Sequence, residues 1–435
     1  MSPIFAPPIF ALASGAGRAA VAVMRLSGAG TGELVAALAG ALPAPRHASL
    51  RTLRHEGLAL DRALVLWFPG PASYTGEDSA ELHLHGGPAV ISAVAEALTA
   101  LGARPAEAGE FTRRSFLNGK LDLTAAEGIA DLISAETEAQ RRQALRQAEG
   151  GLAARHAAWA DQLTRLLARQ EAFIEFEEED LPADLDDRVA EAAAGLRDEM
   201  AALLADGARG EKLREGLSIA ILGAPNAGKS SLLNALAGRE AAIVSTRAGT
   251  TRDVVEVRMT LAGVPVTLAD TAGLRDAADE IEAEGVRRAL ARGEAADLRL
   301  LVFAADEAPD EATLALRGAD ALTVLNKADL AAASMEGAVS VSARTGQGLE
   351  ALRAQLEAAA AARAGLTETA ALTRPRHRAA LREAVEWLDR LPEAGLPELR
   401  AEALRGALRA LSRLTGRVDV EQVLDIVFGE FCIGK

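Results

Sequence analysis

The run Gly223-Ala224-Pro225-Asn226-Ala227-Gly228-Lys229-Ser230 stands between an apolar strand-like segment, Leu217 to Leu222, and a helix-forming one. This is G-x-x-x-x-G-K-S in the strand–loop–helix context that gives the pattern its meaning. Glycines let main-chain amides curl around phosphate oxygens, and the start of the next helix adds partial positive charge. Lys229 is placed to reach the β and γ phosphates, and the Ser230 hydroxyl to reach Mg²⁺. A Gly-rich strand-to-helix turn without a ligand is the competing reading, and the flanking elements argue against it.

Three later segments turn a general nucleotide site into one for GTP. Asp270-Thr271-Ala272-Gly273 follows the apolar run Val264 to Leu268. Asp270 falls where a carboxylate reaches Mg²⁺ through water, and the Gly273 amide where it meets the γ-phosphate. Asn326-Lys327-Ala328-Asp329 follows Leu322 to Leu325, and Ser342-Ala343-Arg344 follows Ala338 to Val341. The Asp329 carboxylate can accept two hydrogens from N1 and N2 of guanine, a donor pair that adenine lacks. Gly249-Thr250-Thr251-Arg252-Asp253 forms a first switch, with Thr251 as a second hydroxyl for Mg²⁺. The expected GTP contacts are therefore Asn226, Ala227, Gly228, Lys229, Ser230 and Ser231, then Ser245, Thr246, Arg247, Ala248, Gly249, Thr250 and Thr251. Asp270, Thr271, Ala272, Gly273, Asn326, Lys327, Asp329, Ser342, Ala343 and Arg344 complete the set. Leu274 follows the Asp-Thr-Ala-Gly run, and an apolar side chain cannot orient water. The acidic stretch Asp276 to Glu284 supplies alternatives, although most of its carboxylates fit a solvated surface.

At 435 residues the chain calls for two to four domains. Residues 1 to about 118 mix short strands (Ala20 to Leu26, Ala63 to Phe68) with turn clusters, and Val90, Val94 and Leu98 recur at helical spacing. Trp159, Leu163, Leu166, Leu167, Phe173 and Ile174 form one helical stripe, and Leu185, Val189, Leu196, Met200 and Leu203 a second. The acidic link Glu175 to Leu185 is expected to be exposed. Strands and helices alternate from Leu217 to about Leu356, the pattern of a mostly parallel, doubly wound sheet. Helical texture then resumes, with Leu404, Leu408, Leu411 and Leu414 on one face, followed by Val423, Leu424 and Val427. The simplest arrangement inserts a Ras-like P-loop domain into one helical bundle; two separate helical domains are the alternative. A formal charge of −15 leaves no global field for nucleic acid, so any such contact is local or shared with a partner. One cysteine, Cys432, permits no intramolecular disulfide and suits a reducing compartment. No apolar run approaches a membrane span, and the start lacks a basic signal region. The expectation is a soluble, cytoplasmic protein.

The stretch Gly223 to Glu282, the end Phe431-Cys432-Ile433-Gly434-Lys435, and the runs Phe68-Pro69-Gly70-Pro71 and Leu117-Asn118-Gly119-Lys120-Leu121-Asp122-Leu123 resemble the bacterial tRNA-modification GTPases of the MnmE (TrmE) family. The resemblance spans the whole chain. It implies a multidomain α/β architecture: an N-terminal α+β folate-binding-like and dimerising domain at 1–118, helical halves at 119–212 and 363–435, and the GTPase domain at 213–362. It also implies GTPase domains that pair face to face, with K⁺ at the phosphates where other systems insert an arginine. Asn226 matches the side-chain K⁺ ligand, and Ser245, Arg247 and Thr250 lie at matching loop positions. Family members usually carry other residues at 245 and 247; carbonyl ligation tolerates this, whereas hydroxyl ligation at Ser245 stays open. Glu282 matches the residue that orients the attacking water, with Asp279 and Glu280 as alternatives; Glu282, Lys229 and Thr251 form the catalytic set.

In the N-terminal domain the resemblance implies binding of 5-formyl- or 5,10-methylene-tetrahydrofolate at Arg25, Glu81 and Lys120, with Lys435 from the terminus. Without it, Arg25 and Glu81 read as ordinary surface charges. His83 and His85 alternate beside Gly86-Gly87 but lack a third metal ligand. Cys432 reads as a buried small hydrophobe or, through the family's Cys-x-Gly-Lys tail, as a participant in the modification chemistry. The implied function is a K⁺-stimulated GTPase, a homodimer in a heterotetramer with an FAD-dependent partner of the MnmG (GidA) type. Together they would modify C5 of the wobble uridine of certain tRNAs, adding an aminomethyl or carboxymethylaminomethyl group as GTP is cleaved to GDP and phosphate. The alternatives are a regulatory GTPase switch in ribosome assembly, and a folate-dependent aminomethyltransferase with a merely regulatory GTPase.

Overall fold

The computed structural model describes residues 7–15, 17–175, 185–206, 208–238, 256–270, 293–364, 371–416, 427–428, 431 and 434. The chain divides into two compact units, one of residues 1–130, 147–193 and 386–435, the other of 131–146 and 194–385.

The first unit holds strands β1 (Ile9–Leu12), β2 (Ala19–Ser27), β3 (Ser49–His55), β4 (Leu58–Phe68), β5 (Ser79–Gly86) and β6 (Arg104–Pro105) in one sheet of order β3-β4-β5-β2-β1-β6. The runs expected at Ala20 to Leu26 and Ala63 to Phe68 are thus the centres of β2 and β4. Alternation along β5 sets the two faces. Ala80, Leu82 and Leu84 are buried, while Glu81, His83 and His85 point the other way. On the buried face, helices α1 (Thr31–Ala39) and α2 (Pro88–Ala100) cover Met24, Leu26, Val65 and Leu82. Pro88 opens α2, where a missing N–H costs nothing.

Helix α3 (Glu110–Leu117) carries the fully buried Arg114. Its guanidinium donates to Glu77 Oε2 at 3.0 Å and, through Nη2, to Glu110 Oε1 at 2.9 Å. Arg104 also reaches Glu110, with Nη1 donating to Oε2 at 2.8 Å. Glu77 accepts from Ser27 at 3.0 Å, and Asn118 donates to the Thr75 carbonyl at 2.8 Å, so the 69–79 loop is fastened from both sides.

Helices α4 (Leu123–Ser134), α5 (Glu138–Ala148), α6 (Gly151–Glu175), α7 (Leu185–Ala205) and α8 (Arg209–Glu215) follow. The buried stripe of α6 is Leu152, His156, Trp159, Leu163, Leu166 and Gln170. Two polar side chains therefore sit inside a stripe read as apolar, while Leu167, Phe173 and Ile174 are only half-buried. Val189, Leu196, Met200 and Leu203 of the second stripe are buried as their spacing predicts. Most of the acidic link, 176–184, lies outside the described residues.

The second unit contains the other sheet: β7 (Leu217–Leu222), β8 (Glu256–Leu261), β9 (Val264–Asp270), β10 (Leu298–Ala304), β11 (Ala321–Asn326) and β12 (Ala338–Ser340). Its order is β12-β11-β10-β7-β9-β8, parallel throughout except for β8, which runs antiparallel to β9. Unbroken apolar runs such as Ile219 to Leu222 and Leu300 to Phe303 are what a sheet covered on both faces requires. Helices α9 (Lys229–Ala237), α10 (Glu311–Leu314) and α11 (Leu349–Arg363) accompany it. Helices α12 (Pro375–Asp389) and α13 (Pro397–Thr415) close the described chain, apart from Val427, Phe428, Phe431 and Gly434. Although α6 and α13 flank the nucleotide-type sheet in sequence, they pack on each other, so that sheet is an insertion between helical segments. Ala403, Leu404, Ala407, Ala410, Leu411 and Leu414 line α13, and Gly406 lets Trp387 lie against the helix backbone.

Replacing Arg114 with Met should remove about 3–5 kcal/mol, because the buried Glu110 and half-buried Glu77 carboxylates lose their common cation. All three tryptophans (Trp67, Trp159 and Trp387) lie in the first unit, so their fluorescence in urea reads that loss. Burial pushes the Glu110 carboxyl up, but Arg104, the Glu107 amide and Arg114 outweigh burial and hold it below 4.5. Its contribution is complete above pH 4.5 and disappears as pH falls through the lower folded value. The Arg114→Met chain, less stable at neutral pH, should therefore lose less further stability than the parent on acidification through this window, because fewer donors hold its Glu110 carboxyl down.

Candidate functional site

The carboxyl ends of β7, β9 and β11 meet where ligands bind in doubly wound sheets. From Leu222 the chain turns at Gly223, where a Cβ would strike the Val302 carbonyl of neighbouring β10. It then runs to Gly228, whose φ of 88° and contact with the Asn326 amide admit no side chain. Lys229 opens α9 and is almost wholly buried; its Nζ donates to the carbonyls of Gly223 and Ala224, each at 2.8 Å. Those two bonds hold the cation against the glycine-bearing loop at the start of a helix, an arrangement suited to a polyphosphate. Ser231 follows Ser230 in the first turn of α9, and both are exposed.

Ser230 donates to Asp270 Oδ2 at 2.5 Å, and Asp270 is 2% exposed at the end of β9. A hydroxyl and a carboxylate so close form the oxygen donor set that a hard divalent cation takes, one directly and one through water. Asn226 is exposed with a left-handed φ of 65°.

Asn326, at the end of β11, is buried and joins three segments. Its Nδ2 donates to the Ala227 carbonyl at 2.9 Å, and its Oδ1 accepts from the Ala343 amide at 3.1 Å. The phosphate-type loop and the Ser342 loop are thereby held by one side chain. Asp329 Oδ1 accepts from Ser342 Oγ at 2.6 Å, and its Oδ2 accepts from Arg344 Nε at 3.0 Å and Nη2 at 2.6 Å. The Ser342 hydroxyl and then the Arg344 guanidinium hold this carboxyl below its ordinary value. Lys327 pairs with Asp306 at 3.0 Å and reaches Glu307 at 3.5 Å, partners that its sequence position did not suggest.

Within the expected set, the structure brings Asn226 to Ser231, Asp270, Asn326, Lys327, Asp329 and Ser342 to Arg344 onto this edge. Ser245, Thr246, Arg247, Ala248, Gly249, Thr250, Thr251, Thr271, Ala272, Gly273 and Glu282 lie outside the described residues. So do Cys432 and Lys435.

A second concavity of about 180 Å³ opens in the first unit between the exposed face of β2 and β5 and the 69–79 loop. Arg25 and Glu81 stand opposite each other in register, with Arg25 Nη2 donating to Glu81 Oε1 at 2.9 Å. The Arg25 guanidinium also lies 5.7 Å from the Tyr74 ring centre and 6.0 Å from that of Phe111. Burial pushes the Tyr74 phenol up. Lys120 does not line this cavity; its Nζ donates to the Pro71 carbonyl at 3.0 Å, at the start of the same loop. Gly434 lies against the Leu12 carbonyl of β1, beside β2. His83 meets Glu81 at 3.3 Å and His85 meets Asp61 at 2.7 Å, and no group of three metal-type ligands occurs among the described residues. Sequence reasoning missed Tyr74 and Arg46 in the cavity wall. The signal for Tyr74 was available, since it is the single tyrosine, set in a turn of small residues.

The family described as MnmE helical domain matches residues 123–432, and that described as GTP-binding protein TrmE N-terminus matches 8–120. The chain is 60% identical to the tRNA modification GTPase MnmE of Gluconacetobacter diazotrophicus, over 98% of this chain and 99% of that one. It is 57% identical to the protein of that name from Granulibacter bethesdensis, with the same coverage. The crystal structure of the G domain of the T. maritima FeoB iron transporter is similar over 33% of this chain and 98% of its own, at 28% identity and a TM-score of 0.27.

Replacing Asn326 with Ala strands the buried Ala227 carbonyl, at about 1–3 kcal/mol, and the part-buried Ala343 amide at less. Guanine-nucleotide affinity should fall roughly ten-fold or more while the far-ultraviolet dichroism is retained; unchanged affinity in a titration with fluorescent GDP would refute the tie.

Proposed function

The chain belongs to the MnmE (TrmE) family of tRNA-modification GTPases, and from that membership we propose that it hydrolyses GTP to GDP and phosphate while modifying tRNA. The observation that carries this reading is the Asn326 bridge, which holds a phosphate-type loop and a guanine-type carboxylate in one fixed frame. Lys229 and the loop amides bind and orient the triphosphate, and Asp329 reads the base. Ser230 and Thr251 are the residues that would hold Mg²⁺, with Asp270 behind them; Asn226, Ser245, Arg247 and Thr250 would hold K⁺. These cations, when bound, neutralise charge that develops on the phosphates. Glu282 orients the attacking water, since Leu274 cannot.

In the first unit the Arg25–Glu81 pair and the neighbouring cavity support a tetrahydrofolate site. A fused heterocycle can donate to Glu81, and anionic tail groups can pair with Lys120 and Lys435. The folate, when bound, supplies a one-carbon unit. The boundaries 1–118, 119–212, 213–362 and 363–435 follow the same assignment. We further propose a cytoplasmic homodimer that joins an FAD-dependent partner of the MnmG type to act on C5 of the wobble uridine. No helix among the described residues is long and apolar enough to cross a membrane.

Wobble nucleosides from cells lacking this chain should have lost the C5 aminomethyl-type modification, as read by mass spectrometry. An unchanged nucleoside profile with disturbed ribosome assembly would replace this reading with that of an assembly switch. With purified protein, hydrolysis should run at least about ten-fold faster in K⁺ than in Na⁺. Glu282→Ala should bind GTP yet cleave it about 100-fold more slowly in a single-turnover assay; wild-type turnover would return the role to Asp279 or Glu280.

A further inference from the structure

The Asp329 carboxylate is already engaged by this chain's own donors. A carboxylate offers about four acceptor positions. Ser342 takes one on Oδ1, and Arg344 takes two on Oδ2 through Nε and Nη2. A guanine base brings two donors, N1–H and the 2-amino group. Three plus two exceeds what the carboxylate can accept, so at least one Arg344 bond must break when guanine docks.

Arg344 is built to yield. Its side chain is 76% exposed, and the backbone beside it is fixed independently. The Ala343 amide donates to Asn326, and the Gly346 amide donates to the Ser342 carbonyl at 2.9 Å. Ser342, by contrast, is buried and receives the Thr345 amide at 3.1 Å, so it keeps its place on Oδ1.

We propose that Arg344 is an internal competitor for the guanine-reading carboxylate, so that it weakens guanine-nucleotide binding and speeds release. The proposal rests on Asp329 as the base reader. Its size is bounded, because an exposed ion pair changes an equilibrium constant by no more than about five-fold. The carboxyl's lowered proton affinity, set first by Ser342 and then by Arg344, agrees with a group held ionised by competing donors. The competition is also selective. Hypoxanthine offers N1–H but no 2-amino group, so it fits the one remaining acceptor position without displacing Arg344.

The test uses the full chain with fluorescent GDP and with inosine diphosphate. Arg344→Ala should tighten GDP about two- to five-fold, chiefly through slower release, and leave inosine diphosphate unchanged. Arg344→Lys, whose donors sit on one nitrogen and cannot form the two-pronged contact, should fall between the parent and Arg344→Ala. Unchanged or weaker GDP binding would overturn the proposal and make Arg344 a support for the base. Equal tightening of both nucleotides would also overturn it, since competition for the carboxylate predicts a difference. Asp329→Asn separates the two levels. If it acquires a preference for xanthosine diphosphate while Arg344→Ala has no effect, only the competition fails. If that preference never appears, the base-reading role of Asp329 has failed.

Discussion

One buried amide, that of Asn326, sets the relation between the two ends of the nucleotide site. Its nitrogen is bound to the loop after β7 and its oxygen to the loop after β12, while its own carbonyl accepts the Ala305 amide at 2.8 Å. Each of these bonds is ordinary in strength, but the one to the Ala227 carbonyl is buried and the one to the Ala343 amide partly so, so losing the side chain leaves partners shielded from water without a mate. The bridge also explains Gly228. A Cβ at that position would displace the Asn326 nitrogen, so the glycine is required by the base-end loop as much as by the phosphate. Parallel register makes the geometry reachable. β7, β10 and β11 are neighbours, and Leu222 and Asn326 end at the same edge.

The cavity of the first unit is held by a different physics. Its 69–79 wall hangs on Arg114, Glu77, Glu110 and Ser27, a set of buried charges and hydroxyls, and on Asn118. Such a network is stable only when complete, because each member is costly without its partner. The nucleotide loop relies on main-chain amides and glycines, which carry no net charge and need no matching ion. The loop tolerates exposure; the cavity wall depends on being sealed.

This difference decides what a sequence discloses. The strands Leu217–Leu222 and Ala321–Asn326 were legible because a buried parallel strand is an unbroken apolar run, and their following loops carry fixed residue types. Arg114 was not legible. In Glu110–Leu117 it looks like a solvated helical charge, and only the three-dimensional placing of Glu77, thirty-odd residues away, reveals its burial. Helix α6 misleads in the opposite direction. His156 and Gln170 interrupt the apolar spacing, yet they occupy the buried face, while Phe173 and Ile174 are left half-exposed. Arg25 and Glu81 became a pair only through the register of β2 against β5, which two strands more than fifty residues apart cannot announce.

Net charge gives the last part of the argument. A net charge of −15 opposes a triphosphate in sign, but distance decides the matter. At physiological ionic strength, exposed charges are screened over about 8–10 Å. Acidic side chains farther than that from the loop at Gly223 to Ser230 therefore hardly act on it. Within that range stand Lys229, held by two carbonyls, and the amides at the start of α9. Carboxylates at this edge among the described residues are mated too: Asp270 to Ser230, Asp329 to Ser342 and Arg344, and Asp306 to Lys327. A local field set by a few fixed dipoles and paired ions thus prevails over the sum of the chain. By the same reasoning the acidic total does not forbid contact with an RNA backbone; it requires that such contact be made where the local charge is arranged for it.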